Sequence, residues 1–157
     1  MPDDRGWFTN EECSVARTLE IIGERWTMLV LREAFFRVRR FDDFQRNIGV
    51  ARNILADRLR KLVAHRILER QQYQDRPPRF EYRLTERGID LYPILISLME
   101  WGDRHARSEV GPAVVLEHKG CGRPSSPRLV CSECGEPITA RDMRALPGPG
   151  VAPVRTA

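Results

Sequence analysis

Apolar residues recur three or four positions apart between residues 13 and 65. Val15, Leu19 and Ile22 open the series, and Gly23 interrupts it. This spacing places side chains on one face of an α-helix. The pattern therefore predicts four short amphipathic helices, over residues 13–24, 25–36, 41–48 and 51–65.

The pattern changes beyond residue 65. Alternation and aromatic content predict β-strands over residues 68–74 and 80–84. Because proline donates no hydrogen bond to a sheet, Pro77 and Pro78 place residues 75–79 at the tip of a hairpin. A long helix is predicted over residues 86–107, with Thr85 as its N-cap and Gly88 as a weak spot. Pro93 should either kink this helix or mark a first turn.

The order of these elements is typical of a winged helix-turn-helix. Gly49 marks a tight turn between two helices, and a two-stranded ribbon follows the second helix. In such a fold the second helix enters the major groove of B-DNA, and the ribbon reaches the adjacent backbone or minor groove. The predicted fold class is therefore mainly α (α+β), a winged helix-turn-helix with a two-stranded wing. It is predicted over residues 13–110, after an N-terminal arm over residues 1–12.

Positive charge is concentrated in the centre of the chain. Residues 37–83 carry thirteen basic and six acidic side chains, a net charge of +7, whereas the segments on either side are acidic. A local basic field indicates a polyanionic partner such as DNA. The alternative is an ordinary solvated surface, which is how most charged runs are used.

The helix after Gly49 buries three leucines along one edge, which leaves its opposite side free for DNA. Arg52 and Asn53 lie in its first turn and are predicted to read guanine and adenine. Arginines before the motif and on the hairpin should hold phosphates, which positions the protein without specifying sequence. Lys61 flanks the leucine edge and suits either phosphate or an internal ion pair. The predicted DNA contacts are Arg39, Arg40, Arg52, Asn53, Ala56, Arg60, Lys61, Arg76 and Arg79.

Five ordered motifs between Cys13 and Gly102 resemble the HxlR-type winged helix-turn-helix regulators of bacteria, relatives of the MarR group. They are CSVARTLEIIGERWTMLVLRE, RRFDDFQ, ILADRLRKLVAHRILER, PPRFEYRLTERG and LMEWG. The resemblance implies a homodimer, held by its terminal helices, that reads a pseudo-palindromic operator. The chain departs from the family at the turn, where Gly-Ile-Ser is common. Here Gly49, Val50 and Ala51 occupy it, which removes a serine able to cap the next helix.

Cys13 has two interpretations. In some members of the family a cysteine just before the first helix senses electrophiles, quinones or hypochlorite, and the resemblance makes Cys13 the candidate redox sensor. A sensor thiol needs exposure and a stabilised thiolate, which Arg17 favours and Glu11 and Glu12 oppose. The other interpretation is a small buried apolar residue.

The chain continues beyond the resemblance with two similar motifs, HKGCG from His118 and CSECG from Cys131. Two pairs of soft or borderline ligands match a closed tetrahedral zinc site. We therefore predict one structural zinc per chain, in a zinc-ribbon-like segment over residues 111–145, followed by a disordered tail over residues 146–157. The predicted ligands are His118, Cys121, Cys131 and Cys134. The alternatives are a metal-free cluster and a Cys131–Cys134 redox pair.

These patterns together predict a sequence-specific DNA-binding transcriptional regulator, a homodimeric repressor that responds to redox chemistry or a small molecule. No catalytic constellation is evident, so an enzyme is not expected. No apolar run approaches the length of a membrane span, and the N-terminus lacks the order of a secretory signal, which predicts a cytoplasmic protein. The alternative is a winged helix that binds an acidic protein partner instead of DNA.

Overall fold

The computed structural model describes residues 11–106, 109–146 and 148–150. Most of the predicted N-terminal arm and most of the predicted C-terminal tail therefore lie outside the described residues. The chain divides into two compact units, one running to Tyr92 and the other from Pro93 to Gly148. The predicted domain boundary at residue 110 falls inside the second unit and stays a prediction.

The first unit contains the helices and strands of a winged helix-turn-helix. Its elements are α1 (Ser14–Ile22), α2 (Arg25–Phe35), α3 (Phe41–Ile48), α4 (Arg52–Ala64), β1 (Leu68–Gln74), β2 (Arg79–Leu84) and α5 (Glu86–Ile89). The first four helices follow the apolar periodicity of the sequence to within two residues at each end. This arrangement confirms the predicted fold class.

The core of this unit lies between α2, α3, α4 and the base of the wing. The three leucines predicted to form the inner edge of α4, namely Leu55, Leu59 and Leu62, are completely buried. Phe44 of α3 and Leu31 of α2 are buried in the same cluster. Burial of a leucine side chain contributes roughly 1.5–3 kcal/mol, so this edge fixes which side of α4 faces outward.

A buried carboxylate joins α2 to α3. Glu33 is only 5% exposed, and its two oxygens accept hydrogen bonds from its own helix, α2, and from α3. The Arg32 guanidinium donates to Oε1 at 2.7 and 3.0 Å, and the Asn47 amide donates to Oε2 at 2.8 Å. A buried charge is tolerated when it is paired and hydrogen-bonded in this way. The hydrogen bond between Glu33 and Asn47 therefore links α2 to α3.

The turn between α3 and α4 depends on glycine. Gly49 ends α3 with φ +72°, a left-handed conformation that a side chain would strain. Ala51 then precedes α4 with an extended backbone, φ −61° and ψ 142°, and offers no side-chain cap. The absence of a side-chain cap, predicted from the sequence, is thereby confirmed.

The wing is an antiparallel hairpin whose register runs from Leu68 opposite Leu84 to Gln72 opposite Phe80, followed by a bulge. Its second strand begins at Arg79, one residue before the predicted start. The base of the wing is tied to the segment before α3, because the Tyr82 amide donates to the Arg39 carbonyl at 2.8 Å. Arg40 also forms a bridge with Glu81. The wing therefore stands beside the start of the helix-turn-helix.

The single long helix predicted after the wing is wrong, because the structure has two helices there, α5 and α6 (Tyr92–His105). Pro93 lies in the first turn of α6, where its missing N–H costs nothing, and its ring would clash with the carbonyl four residues earlier if α5 continued. Thr85 caps α5 as predicted, accepting from the Gly88 amide at 3.1 Å. Gly88 is needed for a close approach, since a Cβ there would lie 2.2 Å from the Ile67 carbonyl oxygen.

The second unit consists of α6 and the segment that follows it. A small antiparallel ribbon pairs β3 (Glu117–His118) with β4 (Arg123–Pro124). Residues of α6 and of the following segment line a cavity of about 250 Å³, among them Met99, Val114 and Pro124. None of residues 109–146 is buried. Among the described helices, none is both long and apolar enough to cross a membrane.

Candidate nucleic-acid interface

The outer side of α4 presents the residues predicted to read DNA. Arg52, Asn53 and Arg60 are exposed on the side opposite the buried leucines, and Ala56 is half-buried between them. The Asn53 side chain makes no hydrogen bond with any described residue. It is therefore free to pair with a base edge.

Arg52 is instead held by α3. Its Nη1 atom donates to Asp42 Oδ1 at 3.0 Å and to Gln45 Oε1 at 2.9 Å. Its guanidinium carbon lies 4.8 Å from the centre of the Phe41 ring. The side chain remains 65% exposed, so these contacts orient Arg52 at the surface without removing it from solvent.

Three predicted arginines from three different elements line one cleft of about 400 Å³. Arg40 precedes α3, Arg52 begins α4 and Arg79 begins the second strand of the wing. The Arg40 guanidinium stacks on the ring of Tyr73, 4.9 Å from its centre. The fold thus brings the motif and the wing to a single basic surface.

A second cleft, of about 450 Å³, adjoins the first and shares Arg40 with it. Arg37, Arg39 and Arg46 contribute the other cationic side chains, and Asn47 contributes an amide. Arg37, Arg46 and Tyr73 are not among the DNA contacts predicted from the sequence. Arg37 and Arg46 lie in the basic segment, but charge alone gave no way to choose them among thirteen basic residues.

Ion pairs within the basic segment determine which arginines keep an uncompensated charge. Four of its six acidic residues pair with arginines of the same segment. The contacts are Asp42 with Arg52, Asp43 with Arg46, Asp57 with Arg58 and Arg60, and Glu81 with Arg83. By contrast, Arg37, Arg39, Arg40 and Arg79 form no ion pair with any described residue. Half of the eight basic side chains of this segment that form no such ion pair therefore line the two clefts, together with the acidic Asp42, Asp43 and Glu81.

Besides Asn53, Ala56 and Arg60 on the outer side of α4, two further residues of the predicted set line neither cleft. The Lys61 ammonium donates a hydrogen bond to the Glu20 backbone carbonyl in α1 at 2.5 Å, and it forms no ion pair with any described residue. Its neighbour Arg58 lies 3.1 Å from Glu24. Arg76 is exposed at the hairpin tip and lines neither cleft. Contacts of Lys61 and Arg76 with DNA stay predictions.

Cys13 lies immediately before α1 and is half-buried. Its carbonyl accepts the Arg17 amide at 3.0 Å, and the Arg17 guanidinium donates to Ser14 Oγ at 3.2 Å. The Arg17 guanidinium therefore has a partner in the hydroxyl of Ser14, the residue that follows Cys13. Both interpretations of Cys13 stay open.

The four predicted zinc ligands lie in two similar turns of the second unit. Cys121 and Cys134 are exposed, and Cys131 is half-buried. The backbone amides of Cys134 and Glu133 donate to the Cys131 sulfur and lower the pKa of that thiol, and the Cys134 side chain adds to the effect. Among the described residues, however, no three His, Cys, Asp or Glu side chains converge on a point where they could hold one metal ion.

A known family matches most of the first unit and the beginning of the second. A family profile described as "HxlR-like helix-turn-helix" matches residues 21–110. An uncharacterized HTH-type transcriptional regulator of Mycobacterium tuberculosis is 51% identical over 137 residues, which is 87% of this chain and 87% of that protein. The uncharacterized HTH-type transcriptional regulator YybR of Bacillus subtilis is 34% identical over 105 residues, 66% of this chain and 84% of that protein.

Solved structures show the same similarity. The crystal structure of PA1607, a candidate transcription factor, has a TM-score of 0.76 at 36% identity, covering 85% of this chain and 94% of that chain. The redox regulator HypR in its reduced form has a TM-score of 0.57 at 34% identity, covering 60% of this chain and 94% of that chain. Because the match with PA1607 covers 85% of this chain, whereas the match with HypR covers 60%, the similarity to PA1607 extends beyond the winged helix.

Proposed function

The chain belongs to the HxlR-like helix-turn-helix family of DNA-binding transcriptional regulators, and we propose that it is a homodimeric repressor that reads a pseudo-palindromic operator. The observation that carries the proposal is the convergence of arginines from three elements on two adjoining clefts. A winged helix directs these same elements at one duplex. The free charges of Arg39, Arg40 and Arg79 would hold phosphates, while α4 lies in the major groove.

Base reading is assigned to the first turn of α4. Asn53 is exposed without a competing partner, and an amide pairs with both the N6 and N7 positions of adenine. Arg52 lies beside it and suits guanine once it leaves Asp42. Ala56 and Arg60 lie further along the same exposed side, where a methyl group suits thymine and a guanidinium suits phosphate.

Dimerisation is inferred from apolar side chains that the described chain leaves uncovered. On α1, Val15 and Leu19 are 67% and 57% exposed. On α6, Ile94, Leu98 and Trp101 are 44%, 53% and 60% exposed, at a spacing that places them on one face. Such apolar stripes typically mark an interface. A second copy of the chain would cover them and would set two copies of α4 about one helical turn of DNA apart.

The salt dependence of duplex binding distinguishes DNA binding from the alternative function, binding to an acidic protein partner. Each phosphate contact contributes about −0.9 to the slope of log affinity against log salt, so four unpaired arginines in each of two chains predict a slope of about −7. Arg79→Ala should reduce the slope by roughly 0.9 per chain and weaken all sequences alike. Arg87→Ala, an exposed arginine that lines neither cleft, is the matched control.

Operator fragments selected from genomic DNA by the purified protein supply the probe for this measurement. Asn53→Ala should relax preference at particular base positions, at a cost of roughly 1–3 kcal/mol. A slope of log affinity against log salt near zero would contradict DNA binding through phosphate contacts. Equal losses of affinity for operator and random DNA in Asn53→Ala would contradict base reading by Asn53. Sedimentation as a monomer at micromolar concentration would contradict the dimer.

A redox response through Cys13 is the second proposal about function. HypR, to which the chain is similar, is a redox regulator solved in reduced and oxidized forms. Cys13 lies at the start of α1, next to the apolar residues Val15 and Leu19 that the dimer would cover. Oxidation at this position would therefore change the dimer interface without touching α4.

A further inference from the structure

The two cysteine motifs of the second unit adopt the same turn, displaced by thirteen residues. In the first, the Gly122 amide donates to the His118 carbonyl at 2.8 Å. In the second, the Gly135 amide donates to the Cys131 carbonyl at 2.9 Å. Both glycines have positive φ, +64° and +74°. The internal repeat of the sequence is therefore also a repeat of the backbone.

The segments that flank the two turns are paired in the same way. Glu117 lies opposite Pro124 across the first turn, and Val130 lies opposite Pro137 across the second. In the second turn two backbone amides point at the Cys131 sulfur. In the first turn the Cys121 thiol lies 3.7 Å from the His118 carbonyl. Each turn thus presents two ligand-type side chains at one end of a short ribbon.

Burial of apolar residues does not explain why these two turns adopt a defined structure. None of residues 109–146 is buried, and Val115, Leu129 and Val130 are each more than half exposed. A segment this small without a core usually takes its stability from a disulfide or a metal. The segment also has a counterpart elsewhere: the alignment with the Mycobacterium tuberculosis relative leaves only about 20 residues of this chain unmatched, so it reaches at least residue 135.

We propose that the two turns are the halves of one structural zinc site, in which His118, Cys121, Cys131 and Cys134 bind a single Zn²⁺ per chain. Three thiolates and one imidazole are a donor set of closed tetrahedral zinc sites. The amides directed at Cys131 would stabilise a metal-bound thiolate in the way that outer hydrogen bonds tune such ligands. Binding would release the three thiol protons to solvent.

The two turns must approach one another to share an ion. Nine residues separate Cys121 from Cys131, and every one of them is exposed. Within this linker, residues 123–125 pair with the segment before the first turn, and residues 129–130 pair with the segment after the second. Residues 126–128 join the two ribbons, so the ribbons would approach one another by rotation about this short stretch, which extends to about 10 Å. Zinc would supply the attraction that joins the turns, as it does in small domains that fold on binding metal.

Elemental analysis of reduced protein, purified without a metal-binding tag, tests the proposal. We expect one zinc per chain in the wild type and a loss of at least tenfold in Cys121→Ser and in Cys134→Ser. Cys13→Ser is the matched control, because it removes a thiol of the first unit and should keep its zinc. His118→Ala should lower occupancy, and His118→Cys should restore it.

A titration with Co²⁺ separates loss of the site from loss of the fold. Added to metal-free wild-type protein, Co²⁺ should give the intense visible absorption of a tetrahedral thiolate complex, and Zn²⁺ should displace it at one equivalent. The proposal is overturned by any of three outcomes: no zinc and no Co²⁺ spectrum, half an ion per chain, or a spectrum unchanged in Cys121→Ser. Loss of two hydrogen masses that reverts on reduction would identify a Cys131–Cys134 disulfide instead.

Discussion

Replacing Asp42 with asparagine tests whether the ion pair with Arg52 restrains DNA binding. In the free protein Arg52 donates to Asp42 at 3.0 Å and to Gln45 at 2.9 Å. To reach a guanine, the guanidinium must exchange the carboxylate for a base edge. The amide oxygen of the introduced asparagine would offer a neutral acceptor in the same position, so the exchange should cost less.

The magnitude follows from the exposure of the pair. Both side chains are well exposed, Arg52 at 65% and Asp42 at 79%, and exposed ion pairs contribute roughly 0.2–1 kcal/mol. Removing that cost should tighten binding by about 1.4- to 5-fold per half-site, which is about 2- to 30-fold for a dimer on a full operator. The gain should be larger on the operator than on random DNA, because only a base-reading Arg52 leaves its partner in a sequence-dependent way.

Asp43→Asn is the matched control for this measurement. It removes the same charge one residue away but releases Arg46, which lies 2.6 Å from Asp43, and leaves the Arg52 pair intact. Fluorescence anisotropy on operator and random duplexes, at fixed salt, should show a sequence-dependent gain for Asp42→Asn alone. Weaker operator binding by Asp42→Asn would refute the reasoning, since Asp42 would then position Arg52 for readout. If both variants gained affinity equally on both duplexes, the change in net charge alone would explain the effect.

Three further predictions concern single residues. Ala51→Ser should raise the free energy of unfolding by about 1 kcal/mol in urea denaturation, because the extended backbone at the start of α4 suits a capping hydroxyl, whereas Ala51→Val, which adds no capping oxygen, should give no such gain. Gly88→Ala should lower the free energy of unfolding by roughly 1–3 kcal/mol, since its Cβ would meet the Ile67 carbonyl at 2.2 Å, and an unchanged midpoint would contradict this contact. If Cys13 is a sensor, hypochlorite should abolish operator binding by the wild type and spare Cys13→Ser, and identical responses would exclude it.

The helices of the first unit were predictable because their apolar periodicity coincides with their burial. Leu55, Leu59 and Leu62 recur at helical spacing, and all three are fully buried. Once that edge is fixed, the helical repeat alone places Asn53 on the opposite, exposed side. The turn at Gly49 was equally readable, since few residues other than glycine adopt its positive φ.

The partners of individual charged side chains were not predictable in the same way. Arg52 pairs with Asp42, ten residues earlier, and Lys61 donates to Glu20, 41 residues earlier. Both contacts depend on how two helices are placed in space, which periodicity along one helix does not encode. Pro93 allows two outcomes, a kink in one long helix or the first turn of a new helix. The local sequence does not decide between them, so the break between α5 and α6 was not predictable.

The division of the chain determines how a metal-dependent change could reach DNA. The arginines of both clefts and Asn53 belong to the unit that ends at Tyr92, whereas both turns share a unit with α6 from Pro93 onward. Helix α6 carries the exposed Ile94, Leu98 and Trp101 that a second copy would cover. We therefore expect the turns to influence dimerisation before base reading. Because a dimer multiplies the affinities of two half-sites, a weaker dimer would lower the affinity for the full operator while leaving the base preference of each half-site unchanged.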